Sequence, residues 1–252
     1  MKRFCSKVVI VTGASSGIGA ATAIAFAKEG ARLAICGRNI ERLGETSNIC
    51  KEHGAEVLEI AEDLSEFSNI ENIINKTIEK YSAIDVLINN AGRTLRGPIA
   101  ELEVKDFESL YRTNLRAPVF LCKYALPHLK ETKGCVVNVS SVSGMKIWPR
   151  QNNVHYGMLK CALDHFAKGF SAECAPFGVR VSNINPGFVD TGILERQNIP
   201  KEVVDKCVAD FEKTHILGIM KPDTIADGIL FLCSSPHITG ITLPIDSGSL
   251  NA

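Results

Sequence analysis

The sequence predicts an α/β fold: a doubly wound parallel sheet of about seven strands with helices on both faces. Three observations carry this. Short β-branched runs alternate with longer helical ones along the whole chain, as when parallel strands are joined by crossover helices. The strand runs are nearly all apolar, as expected of strands covered on both faces. No internal repeat, low-complexity tract or Pro/Gly-rich linker interrupts the 252 residues. One domain spanning 1–252, with right-handed crossovers, therefore accounts for the length.

The elements follow in order. Residues 7–12 (KVVIVT) read as the first strand. Residues 17–29 read as a helix in which Ala20, Ala21, Ala23, Ala25 and Ala27 allow close packing. Strand 31–36, helix 39–53, strand 55–60, helix 65–81 and strand 84–89 continue the alternation. One long helical region covers about 101–131, followed by strand 134–140 (GCVVNVS), a loop and helix 153–175. Strand 178–184 leads into Asn185-Pro186-Gly187. A charged, amphipathic helical segment spans about 192–217. Helix 222–234 and a last strand near 240–245 complete the chain.

Composition narrows the function. Hydrophobic residues are 45% and charged residues 22%, with a formal net charge of +0, which reads as globular. No basic stripe argues for nucleic acid, and no apolar run reaches the ~20 residues of a membrane span. The start runs into a strand by Lys7 and leaves no room for a signal peptide. The nine cysteines are odd in number and form no Cys-x-x-Cys pair. They read as reduced residues of a cytoplasmic protein, and no metal-ligand cluster is present.

Two motifs carry chemistry. Thr12-Gly13-Ala14-Ser15-Ser16-Gly17-Ile18-Gly19 follows a strand and opens a helix. Such a turn lets the backbone approach a pyrophosphate, and the helix N-terminus supplies free N–H groups and the positive end of a dipole. At the end of the second strand an NAD enzyme places an acidic residue, whereas this chain has Gly37 and then Arg38. Glycine leaves room and arginine can pair with a 2′-phosphate, which favours NADP(H) over NAD(H). The alternative is that Arg38 simply starts a solvated helix. Further on, Tyr156 and Lys160 stand four apart on a helix and share one face. A cation beside a phenol lowers its pKa from about 10 and makes an acid/base for an alcohol oxygen.

Together these residues resemble the short-chain dehydrogenase/reductase family in its single-domain, Rossmann-like form, over the whole chain and in order. The turn with Gly13, Ser15, Ser16, Gly17, Ile18 and Gly19 looks like the cofactor turn. Asp63-Leu64 looks like the pair that contacts the adenine, and Asn89-Asn90-Ala91-Gly92 like the motif closing the fourth strand. Asn114 in Arg112-Thr113-Asn114-Leu115 matches the helix asparagine of the catalytic tetrad. Val139-Ser140-Ser141-Val142-Ser143-Gly144 matches the serine motif, and Tyr156 and Lys160 complete the set. Pro186, Gly187, Val189 and Thr191 look like the segment flanking the nicotinamide.

The resemblance implies roles. Tyr156 is the general acid in reduction and the base in oxidation. Lys160 lowers its pKa and holds the nicotinamide ribose. Ser141 stabilises charge on the substrate oxygen. Asn114 keeps a helix irregularity and a water in place for a proton relay to Lys160. It also implies a homotetramer or homodimer. Two departures stand out. Ser141 and Tyr156 are fifteen apart instead of thirteen, with the extra residues expected in 150–153. Ser143 has the usual spacing to the tyrosine but the wrong place relative to Gly144. No basic residue stands beside Ser15 and Ser16, so one common NADP contact is absent.

The substrate pocket is expected to draw on Met145, Ile147, Trp148 and Phe188, with 192–217 as a lid. His155 reads as structural. The substrate reads as a small or medium apolar carbonyl or alcohol. A 3-oxoacyl thioester reductase, a hydroxysteroid-type dehydrogenase and, from another class, a non-catalytic nucleotide sensor are the alternatives.

Overall fold

Neighbouring residues of the first strand, β1 (Val8–Thr12), enter different cores. Val9 and Val11 join one buried cluster, while Val8 and Ile10 join a second on the other face. The two-residue period of a strand requires this when both faces are covered. The computed structural model describes residues 2–148, 152–192 and 201–252. On the first face lie α1 (Gly17–Lys28), α2 (Ile40–Glu52) and α8 (Pro222–Ser234). On the second lie α3 (Phe67–Tyr81), α5 (Ala117–Thr132) and α6 (Val154–Cys174).

All seven strands are parallel, in the order β3-β2-β1-β4-β5-β6-β7. They are β2 (Arg32–Gly37), β3 (Val57–Ala61), β4 (Val86–Asn89), β5 (Cys135–Val139), β6 (Arg180–Pro186) and β7 (Thr242–Ile245). The order reverses between β1 and β4. A crevice opens there at the carboxyl ends of the strands, the place where open α/β sheets bind ligands.

The doubly wound sheet is the one expected, with strand ends shifted by one or two residues. The region 101–131 differs more. It is not one helix but α4 (Val104–Tyr111), a π-turn at Arg112–Arg116 and α5. The π-turn frees a backbone carbonyl, and the Asn114 side chain answers it: Nδ2 donates to the Leu110 carbonyl at 3.0 Å. Within the charged segment, α7 covers Lys201–Thr214. Residues 193–200, and the 149–151 part of the longer serine–tyrosine loop, lie outside the described residues.

Candidate active site

The turn between β1 and α1 is held from the β4 side. Thr12 Oγ1 donates to the Ile88 carbonyl and accepts the N–H groups of Asn90 and Ala91, both at 3.0 Å. Asn90 Nδ2 donates to the Thr12 carbonyl at 2.9 Å and to that of Gly13 at 3.3 Å. Asn90 is thus a brace for the glycine turn. Gly13 has φ +66°, and a Cβ there would lie 2.8 Å from the Ala91 Cα, so only glycine fits. Helix α1 opens at Ser16 with no side-chain cap, which leaves its first N–H groups directed at the crevice.

A cavity of about 930 Å³ runs along the crevice. Its walls include Gly13, Ser15, Ser16, Gly17, Ile18, Arg38, Asp63, Leu64, Asn90, Ala91, Gly92, Asn114, Ser141, Tyr156, Lys160, Pro186, Gly187, Val189 and Thr191. Of the expected cofactor residues only Gly19 is not on the wall. A Cβ at Gly19 would fall 2.2 Å from the Gly13 carbonyl oxygen, so Gly19 packs the helix against the turn and does not line the cavity. The uncapped N-terminus, the close backbone and the length of the cavity fit a dinucleotide.

At the β2 end the missing Gly37 Cβ would meet Ser15 Cβ at 3.1 Å. The space left by that glycine is therefore filled by Ser15, not free for a phosphate as the sequence suggested. Arg38 is exposed and pairs with Asp63 at 3.4 Å. Burial acts to raise the Asp63 carboxyl, but hydrogen bonds from Ser65 and the Arg38 cation outweigh it and hold it below its ordinary value. Arg42, one turn into α2, also lines the cavity, a second guanidinium that the sequence reading missed. The spacing of Arg38 and Arg42 was the available signal.

At the other end the tetrad converges. Asn114 is buried and trades hydrogen bonds with Arg93: Nδ2 donates to its carbonyl at 2.9 Å and Oδ1 accepts its N–H at 3.2 Å. A Cβ at Gly92 would lie 2.9 Å from Asn114 Oδ1 and 3.9 Å from Lys160 Nζ, so that glycine keeps the path between them open. Lys160 Nζ donates to the Val139 carbonyl at 2.8 Å and lies 5.6 Å from the Tyr156 ring centre. Ser141 Oγ accepts the Ser143 N–H at 3.1 Å, and the Ser141 side chain acts to lower the Tyr156 phenol. Ser143 lines the cavity as well, but Ser141 is the serine whose side chain acts on the phenol.

The electrostatics correct one expectation. Burial pushes the half-buried Tyr156 phenol up to about 12, with the Ser141 side chain acting downward. Burial lowers Lys160 to about 8, opposed by the nearby Asp164 carboxylate. In this geometry burial dominates the phenol, and the lysine nitrogen is bonded to the Val139 carbonyl beside the Tyr156 ring. At neutral pH the phenol is protonated, the form that donates a proton to a carbonyl oxygen.

The substrate end is built on aromatic rings. Phe188 and Phe211 stack at 4.2 Å, and Phe211, Thr214, His215, Trp148 and Arg96 line the cavity. His215 Nε2 accepts the Phe188 N–H at 2.7 Å while Nδ1 bonds the Phe211 carbonyl at 2.9 Å. It latches α7 to the segment after Pro186, a role the sequence reading missed. Of the apolar candidates, Trp148 and Phe188 face the cavity. Met145 and Ile147 are not on the wall and are exposed to solvent. His155 is buried, its Nε2 bonded to the Leu95 carbonyl at 2.9 Å, and is structural. Among the described residues no group of His, Cys, Asp and Glu could hold a metal ion, and no helix is long and apolar enough to cross a membrane.

Residues 7–202 match the family model for a short chain dehydrogenase. The chain is 32% identical over 251 residues to the meso-2,3-butanediol dehydrogenase of Serratia marcescens, covering 98% of this chain and 96% of that one. It resembles the crystal structure of a short-chain dehydrogenase/reductase of unknown function from Caenorhabditis elegans with cofactor. The TM-score is 0.91 at 33% identity, over 99% of this chain and 97% of the other. A short chain dehydrogenase from Burkholderia cenocepacia in complex with NADP gives a TM-score of 0.90 at 28% identity, over 99% and 100%.

Proposed function

The chain belongs to the short-chain dehydrogenase/reductase family and is an NAD(P)-dependent oxidoreductase acting on CH–OH groups. On that premise we propose that it reduces a carbonyl compound with NADP(H), or oxidises the matching secondary alcohol, with Tyr156 as general acid/base. The observation that supports this most is the convergence of Asn114, Ser141, Tyr156 and Lys160 on the wall of one cavity whose far end is the glycine turn.

The dinucleotide supplies the hydride when bound. The turn from Gly13 to Ile18 seats its pyrophosphate at the α1 N-terminus, and Asp63 and Leu64 flank the adenine. Arg38 and Arg42 both line the β2 end, where no acidic residue closes the strand, which favours a 2′-phosphate. Asn90, Ala91 and Gly92, with Pro186, Gly187, Val189 and Thr191, flank the nicotinamide half. Lys160 holds the ribose hydroxyls there. Ser141 holds the substrate oxygen and Tyr156 delivers its phenolic proton to it; in the alcohol direction the phenolate takes the proton back. Asn114 lies beside Gly92 and within reach of the Lys160 side of the site, where it keeps a relay path to solvent.

The substrate end is lined by Trp148, Phe188 and Phe211, which suits an apolar carbonyl of small or medium size. A homotetramer or homodimer is the matching assembly; α6 leaves Val154 and Met158 exposed and α4 leaves Val104 exposed. All nine cysteines are free, in keeping with a cytoplasmic location. The test is titration of the purified protein with NADPH and NADH, followed by turnover of a carbonyl panel that includes acetoacetyl-CoA. Tighter NADPH binding and turnover of an apolar ketone support the reading. Tighter NADH binding overturns the cofactor assignment, and preferred turnover of the thioester overturns the substrate class.

A further inference from the structure

Asn89, Asn138 and Asn183 occupy one register row across β4, β5 and β6. All three are buried. Asn89 Nδ2 donates to Asn138 Oδ1, and Asn138 Nδ2 donates to Asn183 Oδ1, each at 2.8 Å. Asn183 Nδ2 in turn donates to Asp164 Oδ1 at 2.8 Å. The other carboxylate oxygen, Oδ2, accepts Asn185 Nδ2 at 2.8 Å. That same nitrogen donates to the Ser141 carbonyl at 2.9 Å. Every amide in the row therefore turns its NH₂ towards Asp164. Amides can point either way, and a carboxylate can only accept. The carboxylate is the group that gives the row its direction.

Asp164 stands on α6 four residues after Lys160 and is itself buried. Among the described residues no cation lies within ion-pair distance of it. A Cβ at Gly144 would lie 3.0 Å from its Oδ2, so the carboxylate also abuts the turn that carries Ser141. A buried carboxylate without a close cation is costly to hold for packing alone. Here it is satisfied by the Asn183 and Asn185 amides, and its charge acts on Lys160 one turn earlier on α6. The Asn185 Oδ1 has no partner. Reversing that amide would turn its oxygen onto two acceptors, so its orientation is fixed by Asp164 and the Ser141 carbonyl together.

We propose that Asp164 is a positioning residue for the reaction: as a carboxylate it ties the Ser141 turn in place through Asn185 and sustains the Lys160 cation beside Tyr156. The inference rests on the Tyr156 mechanism above. Asp164 is also the charge that opposes the loss of the Lys160 proton on burial. Asp164 is the charge that acts on Lys160, and Tyr156 is the other titratable neighbour on the same helix face. Of the elements packed on α6, the π-turn brings Asn114 near the lysine and its Arg112 pairs with Glu108 of α4, while the serine turn and the strands present the Val139 carbonyl, Ser140 and the asparagines of the row.

Asp164→Asn is the test, because it keeps the shape and sets NH₂ against NH₂ at one end of the row. Lys160 ionisation is followed by isotope-edited lysine NMR, alongside kcat, KM and NADPH binding of the full chain. The expected result is a Lys160 titration moved to lower pH by about one unit and kcat lowered about tenfold or more, with the NADPH Kd within about threefold. Asp164→Glu restores part of both. If folded Asp164→Asn keeps the wild-type Lys160 titration and kcat, the proposal is wrong. If NADPH binding and melting temperature collapse together while the Lys160 titration stays put, Asp164 is merely structural. Should that variant fail to fold, Asn185→Ser removes the bonds to Asp164 Oδ2 and to the Ser141 carbonyl while leaving the carboxylate charged and bonded to Asn183, and kcat must fall while Lys160 does not titrate at lower pH. The NMR readout needs no turnover. A wild type inactive on every carbonyl thus sinks the Tyr156 mechanism, while the Lys160 shift still decides whether Asp164 sets that charge.

Discussion

Asn114 and Arg93 clasp each other twice, side-chain amide to backbone carbonyl and backbone N–H to side-chain oxygen. The clasp fastens the π-turn between α4 and α5 to the segment leaving β4, which borders the cavity. Replacing Asn114 with alanine strands the Arg93 groups and the Leu110 carbonyl. A stability loss of about 1–3 kcal/mol is expected, from denaturant titration. A kcat loss larger than the change in NADPH affinity accompanies it. Equal loss of both would mean the residue acts on cofactor seating alone.

Tyr156→Phe removes the proton donor and leaves the ring in place. Turnover should fall by a factor of about 10²–10⁴, while NADPH fluorescence titration gives a near-normal Kd. Retained turnover would sink the acid/base assignment.

Arg38→Leu tests the phosphate end. NADPH affinity should weaken by about tenfold, one charge-assisted pair at an exposed site, and NADH affinity should hold. Adding Arg42→Leu should widen the effect. Equal loss for both nucleotides would show that the guanidiniums only shape the turn.

Lys160 gives a pH signature in stability. Its folded pKa is lowered to about 8, below the unfolded value of about 10.4. Below pH 8 both states carry the proton and the buried cation is a constant cost. Between about pH 8 and 10.4 the unfolded chain binds more protons, so this group adds stability as pH rises. Lys160→Met should therefore melt higher than wild type at pH 7, by about 1–2 kcal/mol after the lost bond to the Val139 carbonyl is counted. The gain should shrink towards pH 10. Tyr156, raised to about 12, acts oppositely: its contribution is full below pH 10 and fades as pH climbs through 12.

Gly19→Ala places a methyl group where the Gly13 carbonyl oxygen already stands. Thermal melting and nucleotide binding should both suffer, because the helix must move off the turn that seats the phosphates. Normal melting with normal Kd would show that the turn yields at no cost.

The fold was legible because apolar strands alternate with helices, and periodicity reports burial directly. The site was legible wherever a residue's chemistry was local: the glycine turn, Ser141, and Tyr156 with Lys160 on one helix face. Long-range pairings were not. Nothing in the sequence tells that Ser15 fills the space beside Gly37, that Lys160 turns to the Val139 carbonyl, or that His215 latches Phe188. Each depends on chain segments brought together by the sheet. The π-turn was foreseen only through Asn114. A helix period reads the same over 101–131 whether or not one carbonyl slips out of register.

The cavity divides along the chain as well as in space. The adenine end of its nucleotide wall comes from residues up to Leu64, its aromatic wall from Trp148 onwards, and the segment from Pro186 to Thr191 is shared by the nicotinamide half and the substrate end. Changes at Arg38 and Arg42 and changes along Phe188, Phe211 and His215 therefore fall in separate stretches of sequence on opposite sides of the β1–β4 reversal. Coenzyme choice and substrate choice can drift or be recombined independently, while the braces at Thr12 and Asn90 keep the two halves in one frame.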